Sequence, residues 1–231
     1  MSIHDGHRKR LKERYLKEGL DNFDELHALE LALFYSMGRK DTNPVAHALL
    51  ERFGSLQQVM DANPEELMKV EGVGEHTAIF LGLIRDMGRY YQVKCVEAST
   101  VLQTIDQCGA YLLPYFFGRK NETVFLLCLD AKCKVISCQN MGEGGVNSAN
   151  ISIRKIVEAA LRVNATSVVL SHNHPSGLAL PSKADVQTTI RLGKALRMVD
   201  IILVDHIVVC EDDYISLVQS GNFSQSMLNG E

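Results

Sequence analysis

No run of apolar residues in this chain approaches the roughly 18–20 that a membrane-spanning helix needs, which excludes a helical membrane protein. The opening MSIHDGHRKRLKERY is charged and lacks the apolar stretch of a signal peptide, so the expected location is the cytoplasm. The six cysteines (Cys95, Cys108, Cys128, Cys133, Cys138 and Cys210) include no Cys-x-x-Cys spacing. A structural zinc site built on thiolates is therefore not expected, and reduced, mostly buried thiols are. A net charge of −4 lacks the positive field of a strongly electrostatic nucleic-acid binder, while leaving room for a local basic patch. There is no internal repeat and no low-complexity tract. What remains is ordinary. The chain is 46% hydrophobic and 23% charged, as soluble globular proteins are, and its 231 residues suffice for one large domain or two small ones.

The chain reads as two halves. Residues 1–93 carry helix-compatible patterns throughout: 7–19, 22–37, 43–53, 56–62, 64–69 and 75–93, punctuated by Gly, Asn and Pro. Residues 94–102 read as a linker. Residues 103–231 alternate between helix and strand. A helix over 103–117 leads to strands at 122–130 and 134–140 and a Gly-rich turn at 142–145. A helix at 153–163, a strand at 166–171, a helix from Ser182 and strands at 201–210 and 214–217 complete it.

The chemistry concentrates in residues 172–185, HNHPSGLALPSKAD. The β-branched, apolar run Thr166–Ser171 predicts a buried strand feeding His172-x-His174. Histidines two apart on a strand point to one face, so their rings can converge on one metal ion at about 2.0–2.1 Å. Pro175-Ser176-Gly177 breaks the strand, and Pro181-Ser182 opens the next helix. Asp185 at its start supplies a third ligand. Three protein ligands plus solvent distinguish catalytic zinc from closed structural zinc. The same Ser-x-x-Asp spacing is also that of a capping box, which needs no metal.

In the first half, Val70-Glu71-Gly72-Val73-Gly74-Glu75 is a Gly-x-Gly turn opening a helix, with Ala78 following. Such amides can face a phosphate oxygen, as in a helix-hairpin-helix contact with a nucleic-acid backbone, and DNA contact at Gly72 and Gly74 is one reading. A plain interhelical turn is the other. Residues 1–94 hold 13 Lys/Arg and 15 Asp/Glu, a net of −2, and Glu71 and Glu75 flank the turn with charge that repels phosphate. The basic segment at 7–17, HRKRLKERYLK, also reads as a solvated helix face.

Taken together, the chain resembles the RadC family, a bacterial branch of the JAB/MPN-type proteins. The likeness spans nearly the whole length. It is carried by Glu30-Leu31-Ala32-Leu33, Phe53-Gly54-Ser55-Leu56 and the Gly72-x-Gly74 turn. In the second half it is carried by His172-Asn173-His174-Pro175-Ser176-Gly177, Pro181-Ser182-x-x-Asp185, Asp205-His206 and Tyr214-Ile215-Ser216-Leu217. The resemblance implies a helical N-terminal domain (1–93), a linker (94–102) and a C-terminal α/β domain (103–231). The last would be a cytidine-deaminase-like JAB/MPN fold with a mixed central sheet. It implies a JAMM-type site holding Zn2+ through His172, His174 and Asp185, a glutamate on an earlier strand as general base, and Ser182 helping to bind the oxyanion. Glu122 best matches the glutamate, with Glu143 as competitor in a Gly142-Glu143-Gly144-Gly145 run that departs from the family's pattern. The implied activity is hydrolysis of a peptide or isopeptide amide in a protein or peptide substrate, and the RadC name carries an association with DNA repair.

Other chemistries compete. A non-catalytic DNA-associated protein would use the region around Gly72–Gly74, and a metal-binding adaptor would need no Glu122. An HNH-type nuclease places its histidines on separate elements rather than on one strand. A zinc deaminase needs Pro-Cys-x-x-Cys, which is absent. His206, in an apolar strand, reads as a buried structural histidine or as a support for a metal ligand. Oligomeric state and substrate identity are not encoded in any motif.

Overall fold

The fold is given by a computed structural model that describes residues 3–38, 40–97, 100–144, 152–175, 180–211 and 213–220. The chain divides into two compact units, Met1–Gly88 and Arg89–Glu231. Two stretches of the sequence reading, Ser176-Gly177 and Gly145, lie outside the described residues.

The first unit is helical: α1 (Ile3–Glu18), α2 (Glu25–Ser36), α3 (Asn43–Phe53), α4 (Leu56–Asp61), α5 (Pro64–Leu67) and the start of α6 (Glu75–Glu97). Local chemistry sets the boundaries. Asp24 caps α2 by accepting from the His27 N–H, and Ser55 caps α4 by accepting from Gln58. Pro44 and Pro64 sit in first turns, where a missing N–H is harmless. Leu29, Leu33, Leu49, Val59, Leu67 and Leu81 are fully buried in one core. The basic segment is engaged in structure. Arg8 donates to the carbonyls of Gly38 and Lys40, Arg14 binds Glu18 and the Asn22 carbonyl, and His7 binds the buried Glu30 carboxylate at 3.0 Å.

The second unit holds α7 (Ile105–Phe116), β1 (Thr123–Leu129), β2 (Val135–Glu143), α8 (Ile153–Arg162), β3 (Ser167–Asn173), α9 (Lys183–Arg197), β4 (Ile202–Cys210) and β5 (Asp213–Ser216). Among the described residues the strands form one mixed sheet in the order β2-β1-β3-β4-β5, in which β3 and β4 run parallel and the other neighbours antiparallel. β1 is buried along its whole length, as a strand covered on both faces must be. Side-chain alternation separates the two faces. Val124, Leu126, Val168 and Leu170 pack with Ile156 of α8 and Leu192 and Leu196 of α9. Phe125, Leu127 and Val169 pack with Tyr111, Leu112 and Phe116 of α7.

Three boundaries stand out against expectation. The first helix begins at Ile3, four residues before the expected start at residue 7. The helix expected to end at Val93 continues to Glu97, because Lys94–Glu97 contain neither Gly nor Pro. Residues 100–102 then pair with the β2 edge, through Val135 N–H to the Thr100 carbonyl and Leu102 N–H to the Cys133 carbonyl. The turn expected from Gly142 is still strand. β2 runs to Glu143 because Met141 is an extra residue between Val124↔Gly142 and Phe125↔Asn140, a bulge that Gly142 at φ 135° accommodates. All six cysteines are free thiols, and Cys108, Cys128 and Cys210 are buried.

Candidate metal centre

His172, at the end of β3, and His174, just past it, continue the alternation of Val168 and Leu170 on the face that packs against α8 and α9. The backbone N–H of His174 donates to the Val209 carbonyl at 2.9 Å, which holds the second histidine against β4. Asp185 arrives from α9. Its buried stripe runs Asp185, Thr188, Thr189, Leu192 and Leu196, so the first turns of this face are polar and the later ones apolar. Packing the apolar part into the core therefore delivers the polar part to the histidines.

The three donor groups converge. His172 Nε2 lies 2.9 Å from His174 Nε2 and 3.6 Å from Asp185 Oδ1, and His174 Nε2 lies 3.7 Å from Asp185 Oδ2. Ligands held at about 2.0–2.1 Å in tetrahedral array are about 3.3 Å apart, so two imidazoles and a carboxylate in this triangle fit a divalent cation. Among the described residues this is the one group of three or more His, Cys, Asp or Glu side chains suited to a metal. His172 is 1% exposed and His174 16%, so among the described residues the second histidine is the more accessible of the two.

The electrostatics suit a ligand. Burial pushes the His172 imidazole down to about 4, against the pull of Asp185 and with the push of His174. At neutral pH it is an uncharged ring with a lone pair to give. His206, on β4, is fully buried and held well below the usual imidazole range by burial first and by the two neighbouring histidines second.

The capping box is present as well as the cluster. Ser182 Oγ accepts from the Asp185 N–H at 3.1 Å, and Asp185 Oδ2 takes the Ser182 N–H at 2.7 Å and its hydroxyl at 2.6 Å. Asp185 is thus both the helix cap's partner and a member of the cluster. Ser182, offered for the oxyanion, has its hydroxyl directed at Asp185.

The two glutamates separate by face. Glu122 precedes Thr123, so alternation places it with Val124 on the α8/α9 face, beside the strand end that carries the histidines. Its carbonyl accepts from Gly144 at 2.7 Å. Glu143 lies opposite Thr123, on the α7 side of β1, and accepts from Asn121 Nδ2 at 3.1 Å. Asn173, between the histidines, holds the backbone on both sides of Glu122: it accepts from Thr123 N–H at 2.7 Å and donates to the Asn121 carbonyl at 3.3 Å. Sequence reasoning passed over Asn173 and Thr189. The only signals were an amide between two candidate ligands and a hydroxyl one helical turn beyond Asp185.

In the N-terminal unit, Gly72 adopts φ 89° and a Cβ there would meet Val45 at 2.9 Å, so this glycine is required by the turn itself. Gly74 precedes α6, and Glu71 and Glu75 flank the turn exposed. No helix among the described residues is long and apolar enough to cross a membrane.

Comparison with known proteins places this geometry. The family model of the RadC-like JAB domain matches residues 102–222. The UPF0758 protein FN0909 of Fusobacterium nucleatum is 30% identical over 223 residues, covering 94% of this chain and 96% of that protein. A sheet that brings two histidines and an aspartate together within the matched segment agrees with both findings: the chain belongs to the RadC family, with a JAB-type domain as its second half.

Proposed function

We propose that the protein is a zinc-dependent amide hydrolase of the JAMM type, acting on a peptide or isopeptide bond. One observation carries the reading: His172, His174 and Asp185 converge at the end of β3, whose antiparallel neighbour β1 begins directly after Glu122. Zinc, when bound, supplies Lewis-acid polarisation and lowers the pKa of water towards about 7.

The chain's own residues supply the rest. Glu122, half-exposed, takes a proton from the attacking water as its oxygen bonds to the amide carbon. The C–N bond then breaks, and Glu122 returns the proton to the leaving nitrogen. Asp185 offsets cationic charge, and Ser182 donates to the developing oxyanion when its hydroxyl turns from Asp185. His172, buried and neutral, stays a ligand throughout the physiological pH range.

The test separates binding from chemistry. Glu122→Gln should retain zinc by elemental analysis and lose hydrolysis of a peptide and isopeptide panel by 100-fold or more, on the order of what removing a general base costs. His174→Ala should lose the zinc. A wild-type chain that stays metal-free after zinc reconstitution removes the enzyme reading. A zinc-loaded wild type with no cleavage leaves a metal-binding adaptor in its place.

A further inference from the structure

We propose that Thr189 and His206 are positioning residues that fix His172 as its Nδ1–H tautomer, so that its Nε2 lone pair faces the ligand cluster before any ion arrives. The inference rests on the metal-site reading only for what that lone pair is used for.

A buried chain of polar atoms fixes where each hydrogen lies. The Asp185 carbonyl lies 2.6 Å from Thr189 Oγ1, Thr189 Oγ1 lies 2.6 Å from His206 Nδ1, and His206 Nε2 lies 2.8 Å from His172 Nδ1. Polar atoms this close need one hydrogen between them. A carbonyl brings none, so the first gap takes the Thr189 hydroxyl hydrogen. Thr189 must then accept in the second gap, which requires hydrogen on His206 Nδ1. A neutral His206 has no hydrogen left for Nε2, so the third gap is filled by His172 from its own Nδ1. His172 Nε2 is left without hydrogen, so the one in its 2.9 Å gap to His174 Nε2 comes from His174, and the His172 lone pair lies on the cluster side, 3.6 Å from Asp185 Oδ1.

The reverse order fails at its origin. It would leave the carbonyl and the threonine oxygen 2.6 Å apart with no hydrogen between them. It would also put hydrogen on His172 Nε2 and block the ligand position. His206 and Thr189 are fully buried, so water cannot supply the missing donor. The direction of the chain is set by the backbone of Asp185, the residue that also supplies the carboxylate. One helix turn therefore places the third ligand and selects the tautomer of the first.

The experiment uses the full-length 15N-labelled chain, metal-free at pH 7.5, with long-range 1H–15N correlation spectra of the histidine rings and zinc titration against a chromophoric chelator. Both His172 and His206 should appear as Nδ1–H tautomers. Thr189→Val should scramble that pattern and weaken zinc binding by about 10–100-fold, while Thr189→Ser, which keeps the hydroxyl, restores both. Hydrogen on Nε2 of His172 in the wild type, or T189V with unchanged spectra and affinity, overturns the proposal. If T189V does not fold, the wild-type spectra decide alone by the same criterion. A chain with both Nδ1–H tautomers that takes up no zinc upholds the relay and removes the zinc reading instead.

Discussion

At the scale of single residues, the site is a set of polar groups taken out of water and satisfied by one another. His172 is the clearest case. A free imidazole titrates near 6.5, and burial brings this one to about 4. Between those values the unfolded chain binds a proton that the folded chain refuses, so stability falls as pH drops through the window. The full difference is about 3 kcal/mol. Asp205 acts in the opposite sense, because burial raises its carboxyl despite hydrogen bonds from Ser216, Val218 and His206. We expect urea unfolding of the metal-free chain to lose about 1–3 kcal/mol between pH 7 and pH 4.5, and a His172→Asn variant to flatten that slope. Equal slopes in the two proteins would show that His172 does not carry the dependence.

At the scale of elements, the start of α9 does two jobs with one pair of side chains. Ser182 caps the helix and holds Asp185, and the sequence reading offered the capping box and the metal ligand as alternatives. The cap and a place in the His-His-Asp cluster coexist, because Asp185 Oδ2 takes the Ser182 bonds while Oδ1 faces His172. Ser182→Ala should therefore cost about 1 kcal/mol of stability through the lost cap and also weaken zinc binding in a chelator competition. Unchanged affinity with lowered turnover would instead assign its hydroxyl to the oxyanion alone. Glycine in α7 works by packing: a Cβ on Gly109 would come within 2.3 Å of the Tyr214 ring. Gly109→Ala, which normally favours a helix by up to about 1 kcal/mol, is expected to lower the melting temperature here, since Tyr214 must leave α7 and its bond to the Asp106 carbonyl.

At the scale of the whole molecule, each unit has its own core. An ion bound only by folded β3 and α9 adds about 4 kcal/mol when free metal is a thousandfold above Kd. Hydrogen exchange with and without zinc should show the added protection in β3, α9 and β4. Helices α1 to α5 should exchange at the same rate in both conditions. Protection gained equally in α1 to α5 would mean that the two units unfold as one.

The reach of the sequence follows from how far each signal extends along the chain. Helix and strand identity, the His172-x-His174 spacing and the Ser182–Asp185 cap depend on neighbours a few residues apart, and all are legible there. The overrun of α6 and the strand at Gly142 were not. The first lacks a stop signal, and the second depends on a bulge formed against another strand. The faces of Glu122 and Glu143 follow from that register, which pairs residues some twenty positions apart. Asn173 and Thr189 look like ordinary polar residues until the sheet and α9 bring them to Glu122 and His206. Local pattern determined which elements exist and which residues could bind metal. Only packing decided which polar atoms share each buried hydrogen, because that depends on distances of 2.6–2.8 Å between groups 17 to 34 residues apart or on adjacent turns.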